Sequence, residues 1–173
     1  MRHKYESPAW LLLMDLDGTL WDNLDVSSTI PPYRRSGSAT IVDAEGTRIS
    51  LKSGAVWFLR WAKSGGAFVS SLSWNLPERA IPVLEALRVS GYFDDHAIAF
   101  TPRKDVLLES LLIKLRGRGM EFEETKIFYI DDRSIHWHDI RARFPSIHYL
   151  HMWNEIPSYA CAAKLISSQL ASY

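Results

Sequence analysis

Short apolar runs and helical segments alternate along this chain, and few folds accommodate that order. The runs are Leu11–Met14, "AFVSSLSWN", "HAIAF", "KIFYID" and "SIHYLHM". Leu11–Met14 is apolar at every position, so both of its alternating faces need burial, the pattern of a strand in a parallel sheet covered on both sides. The helical segments are Ser53–Lys63, closed by "SGG", and "PERAIPVLEALRVSG", entered through Pro77 and stopped by Gly91. "PRKDVLLESLLIKLRGRG", "SIHWHDIRARF" and a closing "SYACAAKLISSQL" complete the set. This alternation predicts an α/β fold, a doubly wound parallel sheet with right-handed crossovers.

One stretch breaks the rhythm. Residues 23–50 are polar and interrupted, and Pro31-Pro32 opposes helix there. "SATIV" and "TRISL" flank the turn signal "DAEG", which predicts a β-hairpin insert over about residues 23–51. No repeat, low-complexity tract or linker divides the 173 residues, so a single domain over 1–173 is expected. At 47% hydrophobic and 23% charged, such a chain builds its core without a disulfide or structural metal.

The 20 basic and 20 acidic residues cancel and form no long like-charge block, so no nucleic-acid partner is expected. No apolar run approaches the ~18 residues of a membrane span. The N-terminal "MRHKYESPAWLLLMD" has too short an apolar stretch for a signal peptide, which leaves no membrane partner and a cytoplasmic location as the expectations. Cys161, the single cysteine, has no nearby His or second Cys and reads as a small buried helix residue.

In doubly wound sheets ligands bind beyond the carboxyl ends of the strands. Asp15 and Asp17 follow the first run, Ser73 closes the second, Lys104 lies just past the third, and Asp131 and Asp132 follow the fourth strand. Singly, each has a structural reading. Asp15 or Asp17 can cap a turn at Gly18-Thr19, and Asp131-Asp132 can cap "RSIHWHDI". Lys104 alone reads as a solvated helix residue and Ser73 as a loop hydroxyl.

Together they suit phosphoryl transfer. Two carboxylates at one strand end require a cation or a shared proton. Mg²⁺ takes oxygen ligands, usually one or two carboxylates plus a substrate phosphate. Asp15, Asp132 and a backbone carbonyl fit that set. A carboxylate nucleophile divides a hard hydrolysis into two easier steps, while a second one moves the proton. Lys104 and Ser73 are placed to hold phosphoryl oxygens.

"DLDGTLWD" resembles the first motif, Asp-x-Asp-Gly-Thr, of the haloacid dehalogenase superfamily of phosphatases, and Ser73, Lys104 and "IDD" follow in that superfamily's order. "LDGTLWD", "IPPYRR", the "DAEGTRISL" hairpin and "VWFLRWAKSGG" look like the capless magnesium-dependent phosphatase family, a likeness covering about residues 9–155. The resemblance implies a Rossmann-like sheet with no large cap domain, and hydrolysis of phosphate monoesters through an aspartyl-phosphate. Asp15 is then nucleophile and Mg²⁺ ligand, and Asp17 is general acid/base with its backbone carbonyl as a second ligand. Ser73 and Lys104 bind the phosphoryl group, Asp132 completes the metal ligands, and Asp131 orients Lys104 or a metal-bound water.

The implied substrate is a small-molecule or protein-borne monoester, with phosphosugars and phosphotyrosine both in range; oligomeric state is not legible. Two departures stand out: Asp-Asp where many members have Gly-Asp, and "WNLPE" where the family has a polar run after Ser73. Two other classes share parts of this set. One is a receiver-like phospho-accepting module, which carries its acidic pair on the first strand and its acceptor later. The other is a catalytically silent binding module.

Other residues invite functional readings. His136, His138, His148 and His151 suggest a transition-metal site, but i,i+2 positions face different sides of a helix, so they read as satisfied or surface histidines. Trp57 and Trp61, one helical turn apart, read as core. Trp21 and Tyr33 are candidate pocket walls. Arg34, Arg35 and Arg103 are either contacts for an anionic substrate or solvated.

Overall fold

The computed structural model describes residues 8–172. In chain order the elements are β1 (Trp10–Met14), the insert strands β2 (Arg34–Arg35), β3 (Thr40–Val42) and β4 (Arg48–Ser50), α1 (Ala55–Ser64), β5 (Ala67–Trp74) and α2 (Pro77–Ala86). They continue as β6 (Asp95–Ala99), α3 (Lys104–Gly117), β7 (Ile127–Asp131), α4 (Trp137–Arg143), β8 (His148–His151) and α5 (Tyr159–Leu170). The charged start of the segment weighed as a leader, residues 1–7, lies outside the described residues, whereas its apolar part is strand β1.

The main sheet has five parallel strands in the order β6-β5-β1-β7-β8. The chain builds outward from β1 to β6, then crosses back to add β7 and β8 on the other side. Winding therefore reverses between β1 and β7, the point where loops diverge and leave a crevice at the carboxyl ends. The order differs from the 2-1-3-4-5 arrangement of receiver-type sheets.

Alternation along β1 explains the two cores. Trp10, Leu12 and Met14 pack with Phe58, Leu59 and Ala62 of α1, Val83 and Leu84 of α2, and Tyr159, Ala162 and Ile166 of α5. Leu11 and Leu13 face the other side and pack with Leu108, Leu111 and Leu115 of α3 and Ile140 of α4. Strand β1 is wholly buried, as its uninterrupted apolar sequence requires. No large cap covers the strand ends among the described residues, and none of their helices is long and apolar enough to cross a membrane.

The insert is a three-stranded antiparallel sheet in the order β2-β3-β4, one strand more than the expected hairpin. Arg34 and Arg35 supply the extra strand, pairing with Val42 and Ile41. The sheet is anchored to the first motif by the Trp21–Leu51 bridge and the Lys52 amide donating to the Leu20 carbonyl at 2.9 Å.

Four expectations are corrected. Trp57 is 51% exposed, because the inward stripe of α1 is Ala55, Phe58, Leu59 and Ala62 and position 57 falls off it. Cys161 is exposed for the same reason, since α5 buries Tyr159, Ala162, Ala163 and Ile166. Helix α2 ends before Gly91, with Arg88 taking a left-handed φ of 58° just past its end. The segment after Asp132 is a single 3₁₀ turn (Ser134–His136) leading into a short α4.

Candidate active site

Register places the functional side chains at one rim. Met14 pairs with Ser71 on one side and Ile130 on the other, so the residues that follow all emerge at the carboxyl ends of adjacent strands. Lys104 is the first residue of α3 and reaches back under this rim, fully buried. Its Nζ donates to Asp15 Oδ1 at 2.7 Å and to Asp131 Oδ2 at 2.7 Å. A third, longer contact runs to Tyr129 Oη at 3.3 Å.

Asp15 is consequently half used. Its Oδ1 is held by Lys104, and its Oδ2 is buried with no partner among the described residues. Burial raises its pKa to about 7, with Lys104 opposing and Asp131 adding to the rise. Asp131 touches the same ammonium yet stays low. Burial raises it, but Lys104, the Tyr129 hydroxyl and the Arg133 amide outweigh that penalty. Burial also works against the charged form of Lys104, but Asp15 and Asp131 hold its pKa above the usual lysine value.

Asp132 points across to the first motif. Thr19 Oγ1 donates to Asp132 Oδ1 at 3.1 Å and accepts from the Asp132 amide at 2.8 Å. Gly18 lies directly beneath, with a φ of 70° and no room for a side chain. Its carbonyl is fixed by Trp153 Nε1 at 2.9 Å and that of Thr19 by the Tyr159 hydroxyl at 2.7 Å. One oxygen each from Asp15, Asp131 and Asp132 lies within 4.8 Å of the other two.

Asp17 is held separately from that trio. Trp21 Nε1 donates to its Oδ1 at 2.7 Å, Asn75 Nδ2 to its Oδ2 at 2.8 Å, and the Val26 amide to both oxygens. Burial lifts its pKa to about 6, opposed by the Trp21 and Val26 hydrogen bonds. No described backbone group donates to the Asp17 carbonyl. Ser73 Oγ is buried without a partner. Asp17 also lines a cavity of about 260 Å³ that opens toward solvent between Leu24, Trp74, Phe100 and Arg133.

The six residues singled out in the sequence all come to this rim. Asp15, Asp131 and Lys104 are in direct contact; Asp132 joins through Thr19; Asp17 and Ser73 flank them. Trp21 is not a pocket wall but a fully buried donor beneath Asp17. Tyr33 is half-buried and bonded to Thr29. Arg35 is engaged by the Ala86, Gly37 and Ser38 carbonyls, and Arg103 by Asp105. His148 and His151 each contact a backbone carbonyl, and the histidines form no metal cluster among the described residues. Asn75 went unassigned, since the only signal is a polar side chain two residues past Ser73; Tyr129, inside an apolar run, gave none.

No protein-family model and no curated protein sequence matches the chain. Solved structures do. The N-terminal part of a Bacteroides fragilis protein, containing a phosphatase domain complexed with Mg, matches at TM-score 0.60 and 16% identity. That match covers 92% of this chain and 39% of the other, so the chain spans well under half of that protein. A haloacid dehalogenase superfamily hydrolase from Ehrlichia chaffeensis matches at TM-score 0.60 and 14% identity, over 95% of this chain and 99% of that one. A putative hydrolase of the same family from Streptomyces avermitilis matches at 0.52 and 14%, over 91% and 80%. The chain therefore shares its fold with these haloacid dehalogenase superfamily hydrolases.

Proposed function

We propose that this protein is a magnesium-dependent phosphatase that hydrolyses phosphate monoesters through an aspartyl-phosphate on Asp15. One observation carries the reading: Asp15 has one oxygen fixed by Lys104 and a second that is buried and unpartnered, and an Asp15 oxygen lies within 4.8 Å of one from Asp132. An orphaned carboxylate oxygen within a trio of acidic groups fits a hard divalent cation. Asp15, Asp132 and the Asp17 carbonyl would hold it. Asp131 is spent on Lys104, Tyr129 and Arg133 and is the positioning member of the pair. Bound Mg²⁺ would neutralise carboxylate charge and polarise the phosphoryl oxygens.

The remaining chemistry belongs to the chain. The Asp15 carboxylate attacks phosphorus, the ester P–O bond breaks, and protonated Asp17 gives its proton to the departing oxygen. Asp17, now a carboxylate, takes a proton from water as that water attacks the phosphoryl group. The bond to Asp15 breaks, inorganic phosphate leaves and Asp17 is again protonated. A pKa of about 6 keeps both forms of Asp17 accessible near neutrality. Ser73 Oγ and the Lys104 ammonium, its long Tyr129 contact exchanged for substrate, stabilise the equatorial oxygens.

The test is turnover of p-nitrophenyl phosphate and a phosphate-ester panel, phosphosugars and phosphotyrosine included, with Mg²⁺ or with chelator. Activity should require the metal, and Asp15→Asn should lower it by at least about 10³-fold. Unchanged turnover in Asp15→Asn would remove Asp15 from the reaction. Acid quenching should trap phosphate on the wild-type chain and none on the variant.

A further inference from the structure

The cavity beside Asp17 carries chemistry that a transferring phosphoryl group does not need. Of the strand-end aspartates only Asp17 lines it, and Asp17 is the group that meets the leaving oxygen, so this space belongs to the leaving group. Its walls combine charged and polar groups with three large apolar side chains, Leu24, Trp74 and Phe100. Leu24 is 72% exposed and Phe100 65% exposed, and Phe100 stands edge-on to Trp74 with centroids 6.4 Å apart. Large apolar groups held in water at a cavity mouth mark a surface that binding covers.

The same cavity holds one cation. The Arg133 side chain has no ion pair and no hydrogen bond among the described residues; only its backbone amide is engaged, by Asp131 Oδ1 at 2.8 Å. Asp25, the remaining charged group on the wall, is already bonded to the amide and hydroxyl of Ser27. An unpaired guanidinium beside flat apolar walls matches a ligand that offers both an apolar face and an anion, and a planar carboxylate or a phosphate suits its fork.

Resting on the phosphatase reading above, we propose that this cavity is a leaving-group subsite. It selects phosphate monoesters whose alcohol portion presents a flat apolar face to Trp74 and Phe100 and a second anionic group to Arg133. A neutral polyol would leave the aromatic wall uncovered and give the Arg133 guanidinium no direct anionic partner.

Calorimetry on the full chain with Mg²⁺, comparing 4-carboxybenzylphosphonate with benzylphosphonate, tests this without turnover. The wild type should bind the carboxylated probe at least about tenfold more tightly. Arg133→Gln should erase the preference, Arg133→Lys should keep part of it, and Phe100→Ala should weaken both probes alike. Equal affinities in the wild type would overturn the subsite. So would an Arg133→Gln variant that loses both probes equally, because Arg133 would then serve the phosphoryl group. Release of phosphate from 4-carboxyphenyl and phenyl phosphate is measured in parallel. The binding preference without phosphate release would leave the subsite standing and sink the phosphatase reading; turnover without the preference would do the reverse.

Discussion

A Cβ at position 18 would sit 2.4 Å from Asp132 Oδ2, on a backbone whose φ is already 70°. Both conditions select glycine. Gly18→Ala should push Asp132 off the Asp15 side and cost about 1–3 kcal/mol, visible as a lower urea midpoint and a raised Mg²⁺ requirement in activity. Asp17 gives the pH prediction at this scale. Its folded pKa of about 6 exceeds the unfolded value near 3.8, so the folded state binds the proton more tightly. The resulting stabilisation is complete below about pH 3.8 and lost as pH rises through 6, a total of about 3 kcal/mol. In chelator, Asp17→Asn should therefore flatten the fall in stability between pH 4 and pH 8, read by urea denaturation at each pH. The six charged and hydroxyl residues were legible because chemistry restricts which residue types can act. Asn75, 58 positions from the carboxylate it holds, was not, because its role exists only once β1 and β5 are in register.

Helix α3 begins on its most consequential residue. Lys104 replaces what would be a solvated first-turn side chain with an ammonium buried between two carboxylates. Lys104→Met keeps the stem's bulk but leaves Asp15 and Asp131 buried and facing each other with no cation between them. A loss of about 3–5 kcal/mol is expected, partly recovered by Mg²⁺ or by acidification; equal losses under all conditions would mean packing alone is at stake. Elements were read well from the sequence where periodicity and burial agree, as in β1. They were misread where size stood in for position. Trp57 is large and apolar, but the stripe at 55, 58, 59 and 62 decides what α1 buries. The third insert strand was missed because two arginines carry no apolar alternation, and only pairing with β3 makes them a strand.

At the scale of the molecule, the order β6-β5-β1-β7-β8 brings residues 15 and 132, more than a hundred positions apart, to one crevice. Apolar faces on both sides of the sheet carry the stability, so the metal should be an addition to the fold and not its condition. Chelator should leave the chain folded by circular dichroism. Saturating Mg²⁺, near a hundred times its dissociation constant, should add about 2.7 kcal/mol, or roughly 5–10 °C in melting temperature. The gain should be larger at pH 8 than at pH 5, since burial keeps Asp15 protonated up to about 7 and protons then compete with the cation.

The solvent-facing Cys161 on α5 is the only sulfhydryl in the chain. A maleimide dye will therefore attach once per polypeptide, at a known address and without mutagenesis. Mixing donor-tagged and acceptor-tagged preparations turns energy transfer into a direct count of how many copies travel together.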